Sequence, residues 1–328
     1  MLGNFKTNLP FNSFSLLIYA LFLKWTLLLH PTAPVFVDGD AYLYHQLLLI
    51  LKSWFGDFKI MYGVFTILLL YTQALLINNI ANNQKLFSKP NHLTGMCYLL
   101  FTSVFQSWFV LNPVMIAATF LILVLAKLSK LQNLNDAGKT LFNLGLLLGL
   151  SVLFYFPSIV YLLLIFLSLL ITRAFKLPEW VIIILGLLTP YYFACSILFL
   201  MKSDLHLLYP HLGISLPQIR LTRYELTALI IIIITASVGF AFVQNNMRKL
   251  LVQSRKSWTN IYLFLIVSLI IPFLNFNSSL IFYFPAIISL SVIAAGAFHF
   301  PGRKWFPVVA HWSLFILSAI IGYYFSLH

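Results

Sequence analysis

The chain has 328 residues, of which 61% are hydrophobic and only 8% charged, and its mean hydropathy is +0.96. Soluble domains are nearer half apolar and a quarter charged, so an aqueous globule is excluded, as is a solvated disordered chain. The net charge of +13 does not mark a nucleic-acid binder, because the Lys and Arg residues are scattered between apolar runs instead of clustering on one exposed face.

In chain order, Lys6 precedes an apolar run at 13–30 with no small-residue cleavage site, which reads as an uncleaved first span. An outer segment at 31–59 follows. Within it, residues 43–55 are apolar but only about half a span long, with Lys52 and Trp54 near the end, which predicts a helix lying in the membrane interface. Further runs long enough to cross lie at 60–80, 93–111, 113–131, 140–156, 157–173 and 179–201. Two pairs of these are divided only by Asn112-Pro113 and Phe156-Pro157, where a turn at the proline is the economical reading. A second outer segment spans 202–223, and the last runs are 223–244, 258–275, 278–298 and 305–326. Backbone facing lipid must satisfy its own hydrogen bonds, so all are expected to be helices. The expected fold is therefore all-α: a polytopic bundle of about eleven spans, forming one transmembrane domain over 1–328 with an interfacial helix after the first span.

With the N-terminus inside, cytoplasmic segments hold fourteen of the twenty Lys and Arg residues; the others are Lys24, Lys52, Lys59, Lys202, Arg220 and Arg223. That bias orients the chain with its C-terminus outside, as expected of a multi-pass protein of a bacterial inner membrane. Acidic residues do the reverse: Asp38, Asp40, Asp57, Asp204 and Glu225 fall on the outer side, leaving Asp136 and Glu179 inside. Acidic residues contribute little to topology, so their gathering has another cause, chance or a site.

Asp38-Gly39-Asp40 is the sharpest feature of the first outer segment. Two carboxylates flanking a glycine can ligate a hard divalent cation, or one can serve as a base toward a hydroxyl. The plain alternative is a polar Asp-Gly turn. In the second outer segment Lys202, His206, His211, Arg220 and Arg223 form a cationic set suited to a phosphate, or merely to anchoring span ends at the headgroups. A metal pair from His206 and His211 lacks completing ligands. Gly138-Lys139-Thr140 has no glycine five residues earlier and is no P-loop. Cys97 and Cys195 sit in apolar runs as small hydrophobes.

At the first outer segment the pattern resembles the membrane glycosyltransferases of the GT-C fold, which use polyprenyl-phosphate-linked sugars. The resemblance implies that Asp38 or Asp40 is the essential acidic residue and 43–55 the interfacial helix, with Arg220 or Arg223 holding the lipid phosphate. Two features depart from that family: the larger outer domain many members carry is missing, and the second loop has few acidic residues to complete a metal site. The Arg173-to-Trp180 loop, with Gly186-Leu-Leu-Thr-Pro190-Tyr-Tyr, also resembles multispanning membrane proteins of the Bacteroidota. The expectation is glycosyl transfer at the outer face, with membrane lipid as partner. Two other readings remain. One is a non-enzymatic component of an envelope or secretion assembly, with membrane protein partners and small-residue faces such as Gly145 and Gly149. The other is a transporter of an amphipathic lipid, with a polar cavity around Lys24, Gln73, Gln106 and His311.

Overall fold

A computed structural model describes residues 2–7, 9, 11–34, 36, 41–56, 58–131, 137–173, 175–202, 208, 221–274, 280–300 and 305–327. Among them the regular structure is helical. In chain order the helices are α1 (Leu2–Phe5), α2 (Phe11–Leu23), α3 (Trp25–Leu29), α4 (Tyr42–Phe55), α5 (Lys59–Asn83), α6 (Leu93–Phe101) and α7 (Pro113–Lys130). There follow α8 (Gly138–Phe154), α9 (Tyr161–Thr172), α10 (Leu177–Leu200), α11 (Arg223–Asn246), α12 (Val252–Ile270), α13 (Ala286–His299) and α14 (Trp305–Leu327). Among the described residues, six stretches are long and apolar enough to cross a membrane: α5, α7, α10, α14, and α11 and α12 each with the 3-10 turn after it; α2, α8, α9 and α13 are shorter apolar helices.

Both proline boundaries appear as the sequence predicts. Asn112 caps α7 by accepting the N–H of Met115, with Pro113 in the first turn, where its missing N–H costs nothing. Tyr155 is extended, and Phe156–Val160 forms a 3-10 turn, with Pro157 in its first turn, leading into α9.

Several predicted runs are not continuous α-helices: 157–173 opens as a 3-10 turn and 278–298 has a 3-10 turn before α13. The run at 13–30 breaks at Lys24, between α2 and α3. The run at 93–111 is helical only to Phe101. Nine residues rise about 14 Å, less than half of a hydrocarbon core of about 30 Å. The rest of that segment, 102–112, climbs to Pro113 with one short 3-10 turn at Gln106–Trp108. Every residue of α6 is buried, and nearly every residue of α13, so these two form the centre of the bundle.

Side-chain pairings give the relative helix directions. Tyr19 meets His311, and Thr26 meets Gly322, so α2 and α3 run parallel to α14. Tyr98 with Gln73, Gly95 with Asn78 and Asn91 with Asn82 make α5 and α6 antiparallel. Gly145 abuts Ile183 and Gly149 abuts Leu187, so α8 and α10 are parallel. Tyr161 with Ser268 and Ser168 with Asn260 make α9 and α12 antiparallel. Gly239 against Ile293 and Val243 against Gly296 make α11 and α13 parallel. Close approach explains the glycines on these faces: a Cβ at Gly145, Gly186 or Gly239 would strike the facing backbone.

Helix α4 has 14 residues, the same length as α13, and differs from it in how it is covered. Its Tyr44 and Leu51 pack into a small cluster with Tyr62, Leu111 and Ile116, while Trp54 is 75% exposed. A two-sided helix of this kind suits an interface.

Candidate functional site

The segment 102–112 is where the candidate site is built. Backbone that leaves helical geometry at membrane depth is tolerated when protein groups satisfy it, and here those groups come from four separate places. Lys24, fully buried at the α2–α3 break, donates to the Thr102 carbonyl at 2.9 Å and lies 5.4 Å from the centre of the Phe109 ring. Tyr44 of α4 donates to the Leu111 carbonyl at 2.9 Å. Glu225 of α11 accepts the Gln106 N–H at 3.0 Å. Trp108 donates to the Leu280 carbonyl at 3.1 Å and packs its ring edge-on against Phe284.

Three of these four contacts stand next to one of the two long segments singled out in the sequence. Lys24 and His30 lead into 31–41, and Tyr44 lies just after it, where Phe36 and His45 bring their rings to 4.6 Å. Thr222 and Glu225 follow directly after 203–220. Gln106 and Leu111 are five residues apart, hence at most about 18 Å along the chain. The exits of both outer segments are therefore tethered to one short stretch of buried backbone.

Glu225 is only 4% exposed. One of its oxygens takes Gln106; the other accepts from the Thr222 N–H and hydroxyl, and Thr222 in turn accepts the Glu225 N–H. This reciprocal capping box fixes where α11 begins. A buried carboxylate needs such saturation, and its role is to hold backbone. The signal for it, Thr222-x-x-Glu225, is legible in the sequence; its contact with Gln106 is not.

The predicted site residues divide into two groups. Arg223 is the first residue of α11 and is exposed, and Lys202 lies in the turn just after α10, exposed with a left-handed φ of 52°. Asp38, Asp40, His206, His211 and Arg220 lie outside the described residues. Among the described residues no group of three or more His, Cys, Asp or Glu gathers.

The four polar residues considered for a transport path have separate partners. Lys24 holds Thr102. Gln73 donates to Met115 and Thr119 and accepts from Tyr98. The Gln106 backbone is held by Glu225, and His311 pairs with Tyr19 at 3.0 Å. These are ties between helices, and they suit structural roles.

A family model described as "Family of unknown function (DUF6427)" matches residues 34–328, which include most of the segment 31–59 and all of 202–223. The chain belongs to the DUF6427 family. No curated protein matches it. Among solved structures, the DUF6427 chain is similar to the crystal structure of ArnT from Cupriavidus metallidurans bound to undecaprenyl phosphate. The TM-score is 0.57 at 14% identity, covering 90% of this chain and 62% of that one. At that identity the likeness is one of fold, and it supports the GT-C-like polytopic bundle. The DUF6427 chain thus spans about three-fifths of the length of the ArnT structure.

Proposed function

We propose that this protein is a GT-C-like transferase that moves a glycosyl group from a polyprenyl-phosphate-linked sugar to an acceptor hydroxyl at the outer face of a bacterial inner membrane. The observation that carries the reading is the tethering of both outer-segment exits, through Tyr44 and Glu225, to the buried stretch 102–112. It supports a common site for the carboxylates of the first segment and the cations of the second. The fold likeness to ArnT, a protein seen bound to undecaprenyl phosphate, supports a polyprenyl-phosphate partner.

The helix directions support eleven alternating spans. Counting α2 with α3 as the first, and passing over α4, each of the five pairings agrees with strict alternation. Counting α4 as a span would make the first and last antiparallel, against the Tyr19–His311 and Thr26–Gly322 contacts. The Lys and Arg bias then puts the N-terminus inside and the exits of both long segments outside.

In the reaction, Asp40 or Asp38 takes the proton of the acceptor hydroxyl as general base. A bond forms from that oxygen to the sugar's anomeric carbon as the bond from that carbon to the lipid-phosphate oxygen breaks. Arg220 and Arg223, with Lys202, His206 and His211, hold the phosphate and stabilise its developing charge. The test is transfer from a polyprenyl-phosphate sugar in proteoliposomes. Asp38→Asn and Asp40→Asn variants, correctly inserted, should reduce turnover at the base position by at least 100-fold. Full turnover in both would overturn the mechanism.

A further inference from the structure

At the opposite end of the bundle from the outer segments, α5 and α7 leave a lateral groove of about 70 Å³ between them. Its apolar wall is Leu76, Ile122, Leu123 and Ala126; its other end carries Asn79, Asn83 and Lys130. Asn79, Asn83 and Lys130 are exposed, so the polar end is open. The Asn83 amide donates to the Asn79 side-chain carbonyl oxygen at 2.9 Å, and both side chains line the groove. Lys127 shares the last turn of α7 with Lys130, and Lys85 follows α5 directly. The groove thus passes from an alkyl wall to a basic, donor-rich mouth within the length of two helical turns.

We infer that this groove holds an anionic phospholipid, its phosphate against Lys130 and Asn79 and an acyl chain along Leu76 and Leu123. The polar end is open, so a headgroup phosphate can reach Lys130 and Asn79 from outside the groove. Basic pockets between transmembrane helices on the cytoplasmic side recruit acidic headgroups, because each nearby Lys or Arg adds to the attraction and the low dielectric of the membrane strengthens it. In the proposed topology this mouth faces the cytoplasmic leaflet. The ligand assignment itself depends only on the groove and its lining, and stands apart from the transferase reading.

The test is lipid add-back to delipidated full-length protein, read by native mass spectrometry and by thermal stability. The probes are phosphatidylglycerol, phosphatidylcholine and glycerol phosphate. Phosphatidylglycerol should stay bound and raise the melting temperature, and phosphatidylcholine should do neither. Lys130→Gln should weaken retention about fivefold. Leu123→Trp, which fills the groove without touching charge, should abolish it, and Lys59→Gln at the other end of α5 should leave it unchanged. Equal retention of phosphatidylcholine, or indifference to both groove variants, would overturn the assignment. Equal stabilisation by glycerol phosphate would also overturn it, by showing a free-anion site in place of a lipid site.

Discussion

Glu225, at the start of α11, holds the backbone N–H of Gln106 at 3.0 Å across 119 positions of sequence. The bond ties the end of the cationic outer segment to the irregular stretch between α6 and α7. Glu225→Ala would leave the N–H groups of Gln106 and Thr222 without this acceptor and would undo the capping box. Charge-assisted bonds of this kind contribute about 1.5–3 kcal/mol and a cap about 1 kcal/mol. We expect a loss of about 2–4 kcal/mol, read by unfolding in mixed micelles, with Glu225→Gln losing less.

Tyr44→Phe removes the hydroxyl that reaches the Leu111 carbonyl while keeping the ring in its cluster. The buried carbonyl then loses this donor, at a cost of about 1–3 kcal/mol. Hydrogen exchange should accelerate in α4 while α5 stays protected; unchanged exchange in α4 would show that the tether is unimportant.

Gly145→Leu should disrupt the α8–α10 contact, since even a Cβ there would collide with the Ile183 carbonyl. Overpacking costs about 1–3 kcal/mol or more, visible as a lower melting temperature. Gly3→Ala, with open space around it, is the neutral control.

His92 sits in the α5–α6 connection, where burial lowers its pKa despite an opposing hydrogen bond to the Thr7 carbonyl. A lowered folded value favours the neutral ring, so the unfolded chain binds the proton more readily. Stability at this residue is therefore intact above the unfolded value of about 6.5 and falls as pH drops below it. Melting temperatures between about pH 8 and 5 should decline more steeply for the native chain than for His92→Gln.

Much of this architecture was legible locally. Pro113 and Pro157 mark helix starts because a proline suits a first turn and resists an interior. Residues 43–55 read as interfacial because they are apolar, short and end in Lys52 and Trp54, and α4 covers Tyr42–Phe55. The break at Lys24 and the unwinding after Phe101 were not legible. The run from Leu93 to Leu111 has the hydropathy of a span, and what releases it from helical geometry is distant in sequence: Lys24, Tyr44, Glu225 and the Leu280 carbonyl. Hydropathy registers how apolar a segment is, and says nothing of side chains elsewhere that can satisfy its backbone. For the same reason Asp38 and Arg220 could be nominated from the sequence, while the link between their segments could not.

The central claim is that the first and second outer segments form one site, and cysteine cross-linking tests it most directly. In a background with Cys97→Ala and Cys195→Ser, Asp40→Cys and Arg220→Cys would be paired and treated with a bifunctional maleimide about as long as a phosphosugar. The account predicts an efficient intramolecular cross-link, protected by added polyprenyl phosphate. It predicts none for Arg220→Cys paired with Lys130→Cys, which closes α7 at the end away from Pro113. Failure of the Asp40–Arg220 pair to link, with both cysteines shown to be reactive, would contradict the shared site and with it the transferase reading.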